Sequence, residues 1–191
     1  MKGMVLSMIE AAVELTGARI SATDLHRIVG LGKDLLRHPV ELLPGIRDAV
    51  EAIAKDFEIV LVTKGDLFHQ EAKVRDCGFA GLFRRIEIVS EKDIATYARL
   101  LAEFELPARR FLMVGNSLRS DIAPVLALGG WAIHIPYHTT WAHEDAVDPG
   151  VDPGAEPPRL RTVASADGLP AAVVELAALA SAPVGNAGRI G

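Results

Sequence analysis

The stretch Arg110-Phe-Leu-Met-Val-Gly-Asn-Ser-Leu-Arg-Ser-Asp121 decides the fold of this chain. Its apolar run begins at Phe111, is long enough for a buried strand, and stops at Gly115. A polar turn follows, and a helical pattern opens near Ser117 with Asp121 in its first turn. Open α/β sheets build ligand sites in this way, with polar groups at the carboxyl end of a strand. The segment is therefore typical of metal-dependent chemistry on phosphate groups.

Helical and extended patterns alternate on both sides of this stretch. Short apolar runs predict strands, and segments with helical periodicity separate them. The predicted strands are 57–63, 86–89, 111–114, 131–135 and an edge strand at 161–163, and the predicted helices are 46–53, 67–77, 94–104, 117–128 and 171–179. Strands and helices that alternate at this spacing favour an α/β fold with a parallel sheet covered by helices on both faces.

The chain divides into three parts by its sequence pattern. Residues 1–41 show only helical patterns, with a capping-box sequence at 21–24 that predicts the start of a second helix. The alternating pattern belongs to a core at 42–180, which contains a proline-glycine loop at 145–158 that we expect to be mobile. The tail at 181–191 is predicted to be disordered.

Composition narrows the class of protein. A chain of 191 residues, half of them hydrophobic, can bury one core of domain size. Its net charge of −5 gives no support for a nucleic-acid partner, and its apolar runs fall short of the roughly 18 residues of a membrane span. Cys77 is its one cysteine, which is typical of a reducing compartment. We therefore expect a cytoplasmic protein with no nucleic-acid or membrane partner, and its oligomeric state stays open.

Polar side chains suited to a phosphate follow three of the predicted strands. In chain order these candidate site residues are Thr63, Lys64, Lys92, Asn116, Ser117 and Asp121. Hydroxyl and ammonium groups can bind phosphoryl oxygens. Carboxylate and amide oxygens are the ligands that Mg²⁺ prefers.

Each of these residues also has a plain structural explanation. A threonine that ends a strand can cap the next helix, as Thr63 would. Lys92 alone can be an ordinary surface lysine. Ser117 can cap a helix whose dipole favours the nearby Asp121. Singly the signals are weak, and their order along the chain carries the information.

That order, a threonine, then a lysine, then Gly-Asn-Ser-x-x-x-Asp, each just after a predicted strand, resembles the haloacid dehalogenase (HAD) superfamily. The resemblance covers roughly 42–135 and is most specific at Gly115 to Asp121. Most members are Mg²⁺-dependent phosphatases built on a Rossmann-like sheet and carry a mobile cap. The resemblance implies a Rossmann-like core preceded by a partial helical cap, a Mg²⁺ cofactor and a small phosphorylated metabolite as substrate.

The resemblance also implies a role for each candidate residue. Thr63 matches the phosphate-binding hydroxyl, and Lys92 matches the lysine that stabilises the phosphoryl group and a neighbouring carboxylate. Asp121 matches a carboxylate that positions Mg²⁺. Asn116 stands where the family more often has an aspartate, and its amide oxygen is a weaker metal ligand. Lys64, Lys92 and Ser117, with Thr63, are the residues expected to contact substrate.

The resemblance fails at one motif. HAD enzymes carry Asp-x-Asp-x-Thr/Val after their first strand, where one aspartate attacks phosphorus and the other is the general acid/base. This sequence contains no Asp-x-Asp. In the family that strand lies between the strand leading to Thr63 and the strand leading to Asn116. Its loss leaves three alternatives: the two strands close up, another segment fills the gap, or the chain is a truncated product. We interpret the chain as an N-terminally truncated HAD-like hydrolase that is inactive by itself.

Two functions are compatible with these observations. One is a phosphatase that works through an aspartyl-phosphate in a longer parent protein, and the other is a non-catalytic phosphate/Mg²⁺-binding or protein-interaction module. A nucleotide-binding Rossmann domain is disfavoured because no glycine-rich phosphate-binding motif follows a strand. A zinc site at His134, His138 and His143 is disfavoured, because His134 lies on a predicted strand and the three residues therefore lack the geometry of His-x-x-x-His on a helix.

Overall fold

The fold was analysed in a computed structural model that describes residues 2–37, 41–65, 67–78, 80–137 and 159–182. Its helices are α1 (Lys2–Leu15), α2 (Ala22–Arg37), α3 (Ile46–Ile53), α4 (Leu67–Asp76), α5 (Ile94–Glu103), α6 (Ala123–Ala127) and α7 (Leu169–Ser181). Its strands are β1 (Val60–Lys64), β2 (Arg85–Val89), β3 (Leu112–Gly115), β4 (Trp131–His134) and β5 (Leu160–Thr162). No helix within these ranges is long and apolar enough to span a lipid bilayer.

All the described strands run parallel, which confirms the predicted α/β class. They form two sheets, one with the order β1-β2 and the other with the order β3-β4-β5. Within the described residues no backbone ladder joins β1 to β3. Among the described residues, the strand of Thr63 and the strand leading to Asn116 have therefore not closed up into one ladder. The sheets meet through side chains, since Val62 of β1 and Met113 of β3 belong to one buried cluster.

Helices cover both faces of the larger sheet, as the sequence predicts. Side chains alternate across a strand, so neighbouring residues of β4 face opposite sides. Trp131 and Ile133 pack in a cluster with residues of α3 and α7. Ala132, between them, packs with Ile122 and Leu126 on the other side. The parallel sheet thus lies between two layers of helix, which is the Rossmann-like arrangement.

The first two helices pack against each other and are poorly covered. The close contact between them joins Val5 to Gly32, where an added Cβ would overlap the valine side chain. Large apolar side chains of α1 are exposed, among them Met4 and Leu15, and Leu15 is 88% exposed. One neighbouring helix shields only part of a helix surface. The predicted assignment of 1–41 to a cap remnant stays a prediction.

Several predicted boundaries shift by a few residues. The first strand begins at Val60 instead of residue 57, because its ladder with β2 starts at the pair Val60–Arg85. The last helix is longer than predicted and ends at Ser181, so the predicted tail loses its first residue to that helix. Residues 183–191 of the tail, the loop at 145–158, His138 and His143 lie outside the described residues.

The predicted helix 117–128 is wrong as a single α-helix. It consists of a π-helical turn, Leu118–Ile122, followed by α6. The amide N–H groups of Ile122 and Ala123 donate to carbonyls five residues earlier, with Ile122 N 3.2 Å from Ser117 O. Pro124 has no N–H and so interrupts the regular ladder of a helix at this point. The π-helical turn carries Asp121 and thereby sets the geometry of the candidate site.

Candidate active site

The centre of the site is an ion pair between Lys92 and Asp121. Lys92 lies just after β2, and Asp121 lies in the π-helical turn after β3. Their Nζ and Oδ1 atoms are 2.7 Å apart, and the two side chains are only 14% and 5% exposed. The fold thus brings together two residues 29 positions apart, from elements that belong to separate sheets. This pair connects the two halves of the core at the carboxyl ends of their strands.

Both oxygens of the Asp121 carboxylate accept hydrogen bonds. Oδ1 accepts from the Lys92 ammonium, and Oδ2 accepts from the backbone N–H of Ser117 at 3.1 Å. Charge-assisted bonds of this kind stabilise an ionised carboxylate away from water. Since each carboxylate oxygen has two lone pairs, both retain acceptor capacity for a further ligand.

Gly115 allows the carboxylate to lie where it does. An ideal Cβ built at this position would overlap the Asp121 side chain at its carboxylate and its Cβ. Any residue other than glycine at the end of β3 would therefore displace Asp121. The glycine in the sequence pattern has a steric purpose here.

Ser117 caps the π-helical turn, as its plain structural explanation supposed. Its Oγ accepts from the backbone N–H of Ser120 at 2.9 Å, and the residue is buried. The hydroxyl hydrogen is not used in this bond, so it can still donate to an acceptor. Capping and ligand binding are thus compatible at this residue.

Asn116 is held through its backbone. Its carbonyl oxygen lies 3.2 Å from Nε2 of His134, the last residue of β4, and its side chain is exposed. A carbonyl only accepts, so His134 must donate from Nε2. The sequence pattern identified Asn116 but gave no sign of this contact, which joins residues 18 positions apart.

Thr63 and Lys64 lie at the carboxyl end of β1. They do not take part in the hydrogen bonds that join Lys92, Asp121 and Ser117. Thr63 is partly buried and pairs in register with Ile88 of β2. The Lys64 ammonium lies 3.3 Å from the carboxylate of Glu91, with side chains 39% and 68% exposed. The structure therefore brings together three of the six candidate residues through side-chain hydrogen bonds, while Thr63 and Lys64 take no part in those bonds.

Tyr97 is a residue of the site that the sequence did not reveal. It lies on α5 and is fully buried, and its hydroxyl donates to the backbone carbonyl of Ser120 at 3.3 Å. Helical periodicity with Leu100 and Leu101 would have predicted its burial. A buried tyrosine hydroxyl needs a partner, but the sequence does not say which. Burial, and then the negative charge of Asp121, raise the pKa of Tyr97 above its ordinary value of 10.0.

This shift predicts that stability falls at alkaline pH. Above pH 10 the unfolded chain releases the Tyr97 proton while the folded chain keeps it, so the stabilisation is complete below that pH and is lost as pH rises. We expect Tyr97 to contribute a decline of up to about 1.4 kcal/mol per pH unit in the free energy of unfolding. Urea unfolding between pH 9 and pH 11.5 should show a shallower decline for Tyr97→Phe. The matched control is Tyr137→Phe at the exposed second tyrosine, and an equal change in both variants would contradict the prediction.

The donor set meets the minimum that Mg²⁺ requires. Mg²⁺ is held in proteins by one or two carboxylates, with waters and substrate phosphate completing its octahedron. Asp121 offers carboxylate oxygens with spare lone pairs, and the exposed Asn116 amide follows the same strand. No group of three histidine, cysteine or acidic side chains that could hold a metal occurs among the described residues. The Asp121 and Asn116 oxygens are donors of the kind that Mg²⁺ takes.

The fold is an α/β core with helices on both faces, and the candidate site contains a lysine–aspartate pair at the carboxyl ends of the strands. A solved hydrolase shares this fold. Over 94% of its length the chain is 57% identical to a haloacid dehalogenase-like family hydrolase from Xanthomonas campestris, of which it covers 74%, with a TM-score of 0.83. The chain therefore belongs to the haloacid dehalogenase superfamily of hydrolases.

More distant structures share the fold. A predicted phosphoglycolate phosphatase from Haemophilus somnus is 14% identical over 91% of this chain and 77% of its own, with a TM-score of 0.62. A HAD hydrolase from Bacillus subtilis, bound to magnesium, is 17% identical over 70% of this chain and 56% of its own, with a TM-score of 0.54. A scan against protein-family models and a search of curated proteins gave no match.

Proposed function

We propose that this chain carries the phosphate- and metal-binding part of a Mg²⁺-dependent phosphatase that acts on a small phosphorylated metabolite. The observation that carries the proposal is the buried pair of Lys92 and Asp121 at 2.7 Å. A buried ammonium beside a carboxylate can neutralise a phosphoryl group on one side and orient a metal-binding oxygen on the other. Membership of a hydrolase superfamily supports this chemistry.

The chain's own residues have separate tasks in this proposal. Asp121 and Asn116 would hold Mg²⁺, which supplies electrostatic stabilisation of the phosphoryl oxygens when it is bound. Lys92 holds the Asp121 carboxylate through their ion pair and presents its remaining N–H groups to phosphate, since an ammonium has three donors. The hydroxyls of Thr63 and Ser117 and the ammonium of Lys64 are further donors at the same ends of the strands. The Bacillus subtilis structure with magnesium supports the choice of metal.

The nucleophile is the part that this chain does not supply. The sequence has no Asp-x-Asp, and β1 and β3 share no ladder in the described residues. Both observations support a parent protein in which a further strand enters the sheet and brings the attacking aspartate, which would form an aspartyl-phosphate. The open reading frame upstream of Met1 should then encode an apolar strand that ends in Asp-x-Asp-x-Thr or Asp-x-Asp-x-Val.

The experiment compares this chain with its upstream extension in hydrolysis of p-nitrophenyl phosphate, with MgCl₂ or with EDTA. We expect the extended protein to be active with Mg²⁺ and the chain alone to be inactive. In the extended protein, Lys92→Ala should lower kcat by about 10²–10³-fold, as the loss of one preorganised charge-stabilising donor does elsewhere. Lys55→Ala, at an exposed lysine that precedes β1 and takes no part in the site, is the control and should have a much smaller effect. An in-frame stop codon directly before Met1, with no Asp-x-Asp upstream, would contradict the proposal of a longer parent protein.

The missing motif also favours a second function, a non-catalytic phosphate/Mg²⁺-binding or protein-interaction module. A thermal-shift titration of the chain alone with MgCl₂ and orthophosphate tests whether the site is formed without a nucleophile. Saturation at roughly 100 times the dissociation constant should add about 2.7 kcal/mol of stability. Phosphatase activity of the chain alone that depends on Mg²⁺ and disappears in Asp121→Ala would exclude a non-catalytic module.

A further inference from the structure

The Tyr97 hydroxyl meets a carbonyl that a regular helix would satisfy in another way. In an α-helix the carbonyl of residue 120 accepts from the N–H of residue 124. Residue 124 is a proline within the first turn of α6, so that donor does not exist. The Tyr97 hydroxyl lies 3.3 Å from this same carbonyl. The Tyr97 hydroxyl therefore gives this partly buried carbonyl a donor in place of the α-helical N–H that Pro124 lacks.

Tyr97 and Lys92 hold the π-helical turn at adjacent points. Both belong to the segment that leaves β2 and enters α5, five positions apart in sequence. Lys92 binds the side chain of Asp121, and Tyr97 binds the backbone of the preceding residue, Ser120. One bond therefore sets where the carboxylate points, and the other sets where its backbone lies.

The position of Tyr97 is itself fixed by packing. Its ring lies in a buried cluster with Leu100, Met113 and Val125, and its centroid is 6.3 Å from that of Phe111. The hydroxyl cannot leave its place without moving this cluster, because close-packed interiors allow little independent motion. The tyrosine is thus a rigid support for a turn with an irregular hydrogen-bond pattern.

We propose that Tyr97 is a positioning residue for Asp121 and that it acts through the Ser120 carbonyl, whose α-helical N–H donor Pro124 removes. It keeps the carboxylate in reach of Lys92 and of the backbone N–H of Ser117. Its consequence for ligand binding rests on the proposed function, since only a site that binds Mg²⁺ and phosphate would register the loss. The effect of Tyr97 on the hydrogen bonds of the turn does not depend on the proposed function.

The test uses the full chain with Tyr97→Phe, Pro124→Ala and both changes together. The first readout is hydrogen exchange of the Ser117 amide, which is bonded to Asp121. Tyr97→Phe keeps the ring and should speed this exchange by about 10-fold, through easier local opening. Pro124→Ala restores an N–H at residue 124, so Tyr97→Phe should have a much smaller effect in that background. The second readout is titration with MgCl₂ and orthophosphate, where Tyr97→Phe should weaken binding by about 10-fold.

The outcomes separate the two proposals. Unchanged exchange in Tyr97→Phe, or an equal acceleration with and without Pro124→Ala, would mean that Tyr97 serves packing alone and would overturn the inference. Accelerated exchange in Tyr97→Phe, together with a wild-type chain that binds neither Mg²⁺ nor phosphate, would support the positioning role and count against the proposed function. If Tyr97→Phe does not fold, the double variant decides: a folded double variant supports the inference, and an unfolded one overturns it.

Discussion

Replacing Lys92 with methionine is expected to lower the free energy of unfolding by about 3–5 kcal/mol, because it leaves the buried Asp121 charge without its partner. Methionine preserves most of the length and apolar surface of the lysine stem, so the loss of the charge dominates. Domains of this size are stable by only about 5–15 kcal/mol, so the change takes a large part of the total. Urea unfolding at pH 7, followed by circular dichroism, measures the effect.

The chain provides a matched control for this prediction. Lys64 and Glu91 form a similar lysine–carboxylate pair at 3.3 Å, but on the surface. Lys64→Met should change stability by about 0–1 kcal/mol, since solvent screens an exposed pair. The double variant Lys92→Met/Asp121→Asn should regain part of the loss, because it leaves no unpaired charge. Equal losses of unfolding free energy in Lys92→Met and Lys64→Met would contradict the prediction, because burial would then not strengthen the ion pair.

Substituting Gly115 with alanine is expected to destabilise the protein by about 1–3 kcal/mol and to break the ion pair, because the new methyl group would occupy the place of the Asp121 carboxylate. The backbone at Gly115 has no positive φ, so the cost is steric and arises from overpacking alone. Gly81→Ala is the control, since a Cβ there meets no atom within 4 Å. It should be close to neutral in the same unfolding measurement.

A double-mutant cycle distinguishes a displaced carboxylate from general strain. If Gly115→Ala has already moved Asp121 away from Lys92, then adding Lys92→Met should cost much less than it does in the wild type. Costs that simply add would mean that the ion pair survives the alanine. In that case the overlap at Gly115 is relieved elsewhere, and its role in placing Asp121 is refuted.

Much of the secondary structure could be predicted from the sequence because helix capping and periodicity depend on residues only a few positions apart. Ser21 caps α2 as its sequence pattern predicts, with the backbone N–H of Asp24 donating to the Ser21 hydroxyl at 3.0 Å. Ser117 caps its turn through a bond to Ser120 in the same way. Both patterns depend on residues three positions apart, whose distance the backbone geometry itself sets.

Boundaries and irregular turns were harder to predict because they depend on partners. β1 begins where β2 provides a ladder, and the apolar run before it cannot reveal that point. The π-helical turn at Leu118–Ile122 follows a hydrogen-bond pattern that helical periodicity treats as regular helix. Pro124 was a visible signal for the irregularity, since proline always removes a backbone donor.

By itself, the sequence determined the order of strands and helices, the superfamily resemblance and the choice of Lys92 and Asp121 as partners in one site. Only the tertiary structure decided that these two form a buried ion pair, that Gly115 leaves space for the Asp121 carboxylate and that the Tyr97 hydroxyl donates to the Ser120 carbonyl. The physical reason is distance along the chain. Periodicity and capping act over a few residues, whereas these contacts join atoms brought together by packing, and burial decides their strength.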